Sequence, residues 1–291
     1  MAAEICTQGL DTGFVELGYA KVAVLGVVQG ITELLPISST AHMRIVPALL
    51  GWRDPGSAFS AAMQLAALAA VISYFWTDVR TITLGSLSAI VRLDFRDWNF
   101  RFALWIALAT IPIVFFGVLL SPVLNACNSP LRGLVVIGLA SLLMAGLLAL
   151  AERFSNHLRT MDHVTLKDAL IVGLAQAGAL IPGISRSGST LTAALFLNLD
   201  REEAARFSFL LGVPAIALAG LKELYELHKA GLDLHGWLIL IVGLVVASIS
   251  AFVAIWGLLR ILEKFSAWPF VIYRAFIGIV LLIGVAVGWL A

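Results

Sequence analysis

Charged side chains are scarce in this sequence: Asp, Glu, Lys and Arg make up 13% of its 291 residues, while 60% are apolar. A soluble domain usually holds about 25% charged and about 45–50% apolar residues. So much apolar surface cannot be buried inside one soluble core, and lipid is therefore the expected solvent. The formal net charge of +1 also argues against a nucleic-acid partner, which would call for a strongly basic surface.

Cysteine is scarce as well, and positive charge is missing from the start of the sequence. Cys6 and Cys127 lie far apart, and their separation matches no metal-binding or redox motif. The first twenty residues contain Glu4, Asp11 and Glu16 but no Lys or Arg. A cleavable signal peptide begins with positive charge, so we do not expect one here.

Long apolar runs are what the sequence has in abundance. A transmembrane helix needs about 20 mostly apolar residues. We therefore predict an all-α polytopic membrane protein with six full transmembrane helices, at 57–76, 102–123, 131–151, 204–221, 236–258 and 270–290. The charged, amphipathic segment 78–100 is expected on the membrane surface. Aromatic residues near segment ends are expected to form an interfacial belt, namely Trp76, Trp98, Trp268 and Tyr273.

Two further apolar segments, 17–50 and 167–199, are interrupted in the middle. Pro36 and a Ser-Ser-Thr run break the first segment, and Pro182-Gly183 and a hydroxyl-rich run break the second. Each half has about 12–18 residues, which is short for a complete crossing. We therefore predict two re-entrant helix hairpins. Irregular backbone at membrane depth survives only where protein or a wet cavity satisfies its hydrogen bonds.

The two broken segments resemble each other in spacing. Gln29 precedes Ser38 by nine residues, and Gln176 precedes Ser185 by nine. A Phe-Ser pair follows these serines by 21 residues in the first copy and by 22 in the second. Three predicted spans follow each hairpin, and an odd number of spans inverts the second copy. The sequence therefore predicts an inverted-topology repeat, in which broken helices meet near the midplane.

The predicted repeats are 1–151 and 152–291, and the loop charges orient them. If loop 77–101 is cytoplasmic, twelve basic residues lie in cytoplasmic loops and six on the outer side, as the positive-inside rule favours. The first hairpin then enters from the outer face and the second from the cytoplasm. The twelve are Arg80, Arg92, Arg96, Arg101, Arg153, Arg159, Lys167, Arg201, Arg206, Arg260, Lys264 and Arg274; the six are Lys21, Arg44, Arg53, Arg132, Lys222 and Lys229.

The first hairpin carries a cluster of polar residues. Gln29 and Glu33 are four residues apart and share one helix face. An ionisable residue at membrane depth is costly and marks a functional site by default. Ser39 and His42, three residues apart, could pair a hydroxyl with a base, and Ser38 could cap a helix whose free N–H groups bind an anion. Alternatively, the serines only cap a helix and His42 is a core residue.

The second hairpin carries Arg186, which is the only basic residue between positions 168 and 200. Ser185, Ser187 and glycines flank it. A buried arginine in this setting suits bidentate binding of phosphate. A structural ion pair with Glu33 is the alternative, and the two interpretations are compatible, since phosphate could displace part of such a pair.

At these two clusters the sequence closely resembles the bacterial undecaprenyl pyrophosphate phosphatase family, also called bacitracin-resistance proteins. The family's first motif, a Glu or Gln, three residues, Glu, and then Pro-x-Ser-Ser-Thr-x-His, corresponds to Gln29 through His42. The second motif, Pro-Gly-x-Ser-Arg-Ser-Gly, corresponds to Pro182 through Gly188. The resemblance extends over essentially the whole chain.

This resemblance implies removal of the terminal phosphate from a C55 polyprenyl diphosphate, which returns the monophosphate carrier to cell-wall synthesis. It assigns catalytic roles to Glu33, Ser39, His42 and Arg186. Ser39 is the preferred nucleophile, with His42 as its base and then as acid to the leaving group; direct attack by His42 stays open. The expected substrate-binding residues are Gln29, Ser38, Thr40, Gln64, Ser185, Ser187 and Thr190, although Gln64 alone is also typical of helix packing.

Glu33 is expected to orient His42 or to help bind a divalent cation, Mg²⁺ or Ca²⁺. Gln29 stands where many members of the family carry Glu, and an amide is a weaker ligand than a carboxylate, so both are expected to be weak metal ligands. The implied location is the bacterial inner membrane, with a site open to the periplasmic face. Bacitracin is expected to compete by binding the substrate, and a homodimer stays open.

A transporter of lipid phosphate is the main alternative, because inverted repeats with broken helices are common among transporters. The Ser39–His42 spacing favours an enzyme, since a carrier needs no nucleophile. A second superfamily of lipid phosphatases is disfavoured, because Arg186 is not followed by that superfamily's His-x-x-x-Asp pattern.

Overall fold

The computed structural model describes residues 12–124, 131 and 133–289; Cys6 and Cys127 lie outside them. The described residues form eleven α-helices and no β-strand beyond one isolated bridge between Arg159 and Leu199. The helices are α1 (Phe14–Leu34), α2 (Ser39–Leu49), α3 (Ser57–Tyr74), α4 (Trp76–Val91), α5 (Trp98–Leu124), α6 (Leu134–Phe154), α7 (Leu166–Ala177), α8 (Arg186–Phe196), α9 (Arg201–Lys229), α10 (Leu234–Lys264) and α11 (Trp268–Ala286).

Six helices in the described part of the chain are long and apolar enough to cross a membrane, namely α1, α5, α6, α9, α10 and α11. The protein is therefore an all-helical, multi-span membrane protein, as predicted. Helices α5, α6, α9, α10 and α11 correspond to five of the predicted spans. The predicted span at 57–76 is α3, which bends by 82° into α4 after a short break.

The two broken segments are helix pairs. In the first, α1 is longer than the predicted hairpin arm: its 21 residues would suffice to span a membrane, although Gly18 leaves helical geometry at φ 70° and ψ 175°. In the second, α7 has 12 residues, and a 3₁₀ turn at Gly178–Leu180 follows it. The return helices α2 and α8 have 11 residues each.

Neighbouring helices approach closely where both segments meet the bundle. Helix α1 packs along α10, and α7 packs along α5. A Cβ atom at Gly26 would lie 2.8 Å from the carbonyl oxygen of Gly243, and one at Gly173 would lie 2.2 Å from that of Ala109. Only glycine permits such contact between two helix backbones. These contacts hold α1 and α7 against the bundle and so help to position the tips that follow them.

Candidate active site

The first tip joins α1 to α2 at residues 35–38. Leu35 precedes Pro36 and adopts extended geometry, at φ −70° and ψ 144°, because proline disfavours the helical region for the residue before it. Helix α1 therefore ends at Leu34. Ser38 has a φ of 72° and stands at the N-cap of α2. Its expected side-chain cap is absent, since its buried hydroxyl has no partner in the described part of the chain.

The second tip is built in the same way. Ile181 precedes Pro182 and is extended, at φ −82° and ψ 118°. Ser185 has a φ of 72° and caps α8, because its hydroxyl accepts a hydrogen bond from Gly188 N at 3.1 Å. The first N–H groups of a helix lack partners within the helix, so both tips present backbone donors to an anion.

One serine of the second tip contacts the first. Ser187 Oγ lies 3.0 Å from the carbonyl oxygen of Glu33 and 3.0 Å from that of Leu35, and it is the donor in both contacts. Two segments 152 or more residues apart in sequence therefore meet through a buried hydroxyl. The structure thus brings together the two sequence motifs.

Glu33 is the centre of this cluster and is 5% exposed. Its Oε2 accepts hydrogen bonds from Gln29 Nε2 at 3.0 Å and from Ser39 Oγ at 2.5 Å. Its Oε1 lies 3.4 Å from Arg186 Nη2, so the ion pair weighed as an alternative is present but long. Three donors around one carboxylate offset part of the cost of burying its charge.

Arg186 keeps most of its hydrogen-bonding capacity free. Its Nε and Nη1 atoms are buried and have no partner among the described residues. The guanidinium packs against Gly212 of α9, where a Cβ atom would lie 2.1 Å from Nη1. Buried donors normally find partners, so the free N–H groups of this guanidinium are suited to bind an anion.

His42 does not pair with Ser39, contrary to the sequence prediction. Its Nδ1 lies 2.7 Å from the carbonyl oxygen of Ser38, and its Nε2 lies 2.6 Å from the hydroxyl of Tyr273. A carbonyl oxygen can only accept, so the neutral ring carries its proton on Nδ1, and Nε2 accepts from Tyr273. Both ring nitrogens of His42 therefore already have hydrogen-bond partners, and the hydroxyl of Ser39 donates to Glu33 instead.

Helix α11 supplies two site residues that the sequence analysis missed. Tyr273 was predicted to belong to an interfacial belt, yet it binds His42 and stacks on its ring, with centroids 5.6 Å apart and planes 9° apart. Arg274 was counted among the cytoplasmic loop charges, which is wrong: it lies inside α11 and is 1% exposed. Without Arg274, eleven basic residues remain on the cytoplasmic side against six on the outer side, so the loop charges still favour the same orientation.

Three other residues predicted to bind substrate, Thr190, Thr40 and Gln64, differ from one another in burial and in hydrogen bonding. Thr190 is fully buried, and its hydroxyl bonds to Ser208 Oγ and to the carbonyl oxygen of Arg186, so it holds α8 against α9. Thr40 is exposed in the first turn of α2. Gln64 is half-buried on α3 and makes no hydrogen bond among the described residues, so its part in substrate binding stays a prediction.

The residues around Glu33 offer few protein ligands for a divalent cation. No group of three or more His, Cys, Asp or Glu side chains gathers anywhere in the described ranges. Glu33 is the only carboxylate of the cluster, and Gln29 turns its amide nitrogen, not its oxygen, towards it. Mg²⁺ and Ca²⁺ bind oxygen ligands, so this amide would have to turn before it could serve.

Comparison with known proteins gives a consistent result. The chain is 74% identical over 263 residues to undecaprenyl-diphosphatase 2 of Mesorhizobium japonicum, covering 90% of this chain and 100% of that protein. It is 49% identical over 277 residues to the undecaprenyl-diphosphatase of Trichormus variabilis, covering 95% and 87%, and 47% identical over 288 residues to that of Synechocystis sp., covering 97% and 88%.

The family model described as "Bacitracin resistance protein BacA" matches residues 22–280. This range contains both tips, the Glu33 cluster and the part of α11 that carries Tyr273 and Arg274. The chain belongs to the BacA family of bacitracin resistance proteins.

Proposed function

We propose that this chain is an undecaprenyl-diphosphatase: it hydrolyses undecaprenyl diphosphate to undecaprenyl phosphate and inorganic phosphate. The observation that carries the proposal is the placement of Arg186, with two free donors, beside the hydrogen bond from Ser39 to Glu33. The names of its relatives support the same substrate. A transporter of lipid phosphate would use the arginine, but it would not need a hydroxyl held against a carboxylate.

Arg186 binds the terminal phosphate in this proposal. Its Nε and Nη1 donate to phosphate oxygens, and the N-termini of α2 and α8 add backbone N–H groups and the positive ends of two helix dipoles. Gln29, Ser38 and Ser185 surround this position as further polar groups. Phosphoryl transfer depends mostly on positioning and on stabilisation of negative charge, which is what such donors provide.

Ser39 is the proposed nucleophile and Glu33 the proposed base. Ser39 Oγ attacks the terminal phosphorus, its proton passes to Glu33 Oε2, and the bond to the bridging oxygen breaks to release undecaprenyl phosphate. Glu33 passes this proton to the departing undecaprenyl phosphate. Water then attacks the phosphoserine and gives a proton to Glu33, the bond from phosphorus to Ser39 Oγ breaks to release inorganic phosphate, and Glu33 returns the proton to Oγ. The 2.5 Å contact between Oγ and Oε2 supports this assignment of the base over His42.

His42 keeps a supporting role, because both of its ring nitrogens are already engaged. Direct attack by His42 Nε2 would require the hydroxyl of Tyr273 to leave it first. His42 lies in the first turn of α2, and Tyr273 lies in the second turn of α11. The hydrogen bond between them fixes the start of the helix that carries Ser39.

We also propose the inverted repeat and the two re-entrant hairpins, with units 1–151 and 152–291. Matching features of the two halves support this. Ser38 and Ser185 share a φ of 72° at the N-caps of equivalent helices. Gly26 and Gly173, each three residues before the matched glutamines, both touch the backbone of the second full span of the other unit. Exchange of partners between units is what a twofold relation would produce.

The proposed location is the bacterial inner membrane, with the site open to the periplasmic face. The uneven distribution of loop charges supports this orientation. The substrate is a polyprenyl diphosphate lipid, whose tail stays in the bilayer. Bacitracin is expected to compete by binding that substrate. Formation of a homodimer remains a prediction. Dependence of the activity on Mg²⁺ or Ca²⁺ also remains a prediction. No step above requires the cation.

Phosphate release from undecaprenyl diphosphate by the purified full chain in detergent tests this function. We expect equal amounts of inorganic phosphate and undecaprenyl phosphate. Arg186→Lys keeps the charge but loses the planar fork, so its rate should fall about a hundredfold. Arg206→Lys is the matched control, because Arg206 pairs with Asp78 away from the tips and should leave the rate unchanged.

A folded wild-type protein that releases no phosphate would show the proposed function to be wrong. Near-normal turnover by Arg186→Lys would remove Arg186 from phosphate binding while leaving the activity intact. Repeating the assay with a chelator, and then with Mg²⁺ or Ca²⁺ restored, tests the predicted cation separately.

A further inference from the structure

Arg274 is the most deeply buried charged side chain of the site, at 1% exposure. None of the ion pairs in the described ranges includes it. Burying an unpaired guanidinium is costly unless its donors are satisfied, and arginine has five of them. The partners that satisfy these donors therefore indicate what the residue does.

Those partners are carbonyl oxygens, and they come from both tips. Arg274 Nη1 donates to the carbonyl oxygen of Pro36 at 2.9 Å. Its Nη2 donates to the carbonyl oxygens of Gly183 at 2.7 Å and Ile184 at 3.1 Å. A weaker contact of 3.5 Å joins Nε to the carbonyl oxygen of Ser141 on α6. One planar group thus connects segments that belong to different repeats.

The bonded carbonyls lie next to the reacting groups in sequence. Pro36 comes three residues before Ser39, and Ile184 comes two residues before Arg186. Each carbonyl lies one or two residues before a serine held at positive φ, where the backbone is strained and needs outside support. This guanidinium therefore contacts the backbone beside both Ser39 and Arg186.

We infer that Arg274 is a positioning residue, which holds the two tips in register so that Ser39 and Arg186 engage the same phosphate. It does not touch the substrate. This inference rests on the proposed function and extends it to a residue of α11. A lysine could not replace it, because a single ammonium lacks the fork that reaches carbonyl oxygens on both tips at once.

Steady-state kinetics of Arg274→Lys test the inference. We expect kcat to fall about a hundredfold with KM within about threefold, because a displacement of about 1 Å between reacting groups has an effect of this size. Arg206→Lys, a lysine substitution at an arginine remote from the tips, serves as the control for general loss of stability. Thermal unfolding in detergent shows whether each variant is folded.

Spin-label distances give a readout that does not depend on activity. Labels at Leu49→Cys and Leu174→Cys, both exposed positions on opposite hairpins, are placed in a chain whose two cysteines are replaced by serine. We expect one narrow distance distribution with Arg274 and a broader or shifted one with Arg274→Lys. Arg274→Gln is the second variant should the lysine variant not fold, because a neutral amide is easier to bury and still lacks the fork that reaches both tips.

A folded Arg274→Lys protein with normal kcat and an unchanged distance distribution would overturn the inference. So would an equal loss of kcat in Arg206→Lys. A wild-type protein without phosphatase activity would instead refute the proposed function, and the distance measurement would still decide whether Arg274 holds the tips together.

Discussion

Ser39 donates its hydroxyl hydrogen to Glu33, with 2.5 Å between the two oxygens, and not to His42. The spacing of three residues places Ser39 and His42 on one side of α2, which made a nucleophile and base pair plausible. The carbonyl oxygen of Ser38 and the hydroxyl of Tyr273 hold the histidine ring instead. Helix spacing brings two side chains close, but competing partners decide which hydrogen bonds form.

The first prediction concerns the nucleophile and its base. Ser39→Ala should abolish turnover, and Glu33→Gln, which keeps an acceptor but loses the base, should lower kcat about a hundredfold or more. Ser248→Ala on α10 is the control, since within the described part of the chain that hydroxyl bonds only to the carbonyl oxygen of Leu244. Rapid quenching of the wild-type enzyme should trap an acid-stable phosphoserine. Robust turnover by Ser39→Ala, together with an acid-labile phosphoprotein, would assign the attack to His42.

The second prediction concerns the glycine beneath Arg186. In Gly212→Ala the new methyl group would stand 2.1 Å from Arg186 Nη1, the mobile end of a side chain, so the guanidinium should move rather than the helix. We expect phosphatase activity to fall at least tenfold while the unfolding temperature is kept or rises, since alanine favours a helix by about 1 kcal/mol over glycine.

Gly257→Ala on α10 is a matched control for this change, because a Cβ there meets nothing within 4 Å. Its activity should stay normal. Should Gly212→Ala also retain full activity, the position of Arg186 would not be set by this contact.

The third prediction concerns Tyr273. Tyr273→Phe keeps the ring stacked on His42 but removes the hydroxyl from Nε2. A typical hydrogen bond contributes about 0.5–1.5 kcal/mol, so we expect a loss of about three- to tenfold in kcat. Tyr19→Phe provides the comparison, because Tyr19 makes a longer contact of 3.5 Å with His235 in an exposed place. Equal kcat values for the two variants would show that the hydroxyl of Tyr273 does not contribute to catalysis.

The fourth prediction concerns orientation. After Cys6 and Cys127 are replaced by serine, a cysteine at Asn156 should be shielded from an impermeant thiol reagent in intact cells, whereas one at Ala230 should react. Both positions are exposed and lie outside the helices, at the two ends of the bundle. The reverse labelling pattern would place the site on the cytoplasmic face.

Much of the fold could be predicted from composition and length, because a helix in lipid must be apolar over about 20 residues. Five predicted spans coincide with candidate spans on that basis. The bend of 82° between α3 and α4 was harder to foresee, since only the change in composition near Trp76 marks it. The length of α1 was also missed, because the predicted hairpin began at residue 17.

The site could be predicted only as far as local motifs reach. Pro36 and Pro182 mark the two tips, and the residues around them are polar in an apolar context. Tyr273, by contrast, meets His42 across 231 positions, and Gly212 matters only for the space it leaves. Arg274 resembled a loop charge because a single sequence does not reveal which carbonyl oxygens surround a side chain.

The backbone contacts at Gly26 and Gly173 bear on how the molecule could open for a long lipid. At these positions helix backbones, and not adjustable side chains, form the junctions of α1 with α10 and of α7 with α5, so we expect each junction to stay closed when the rest of the bundle moves. Each broken segment must travel together with its partner helix. We therefore expect any opening to occur between these two helix pairs, each of which joins the two proposed repeats.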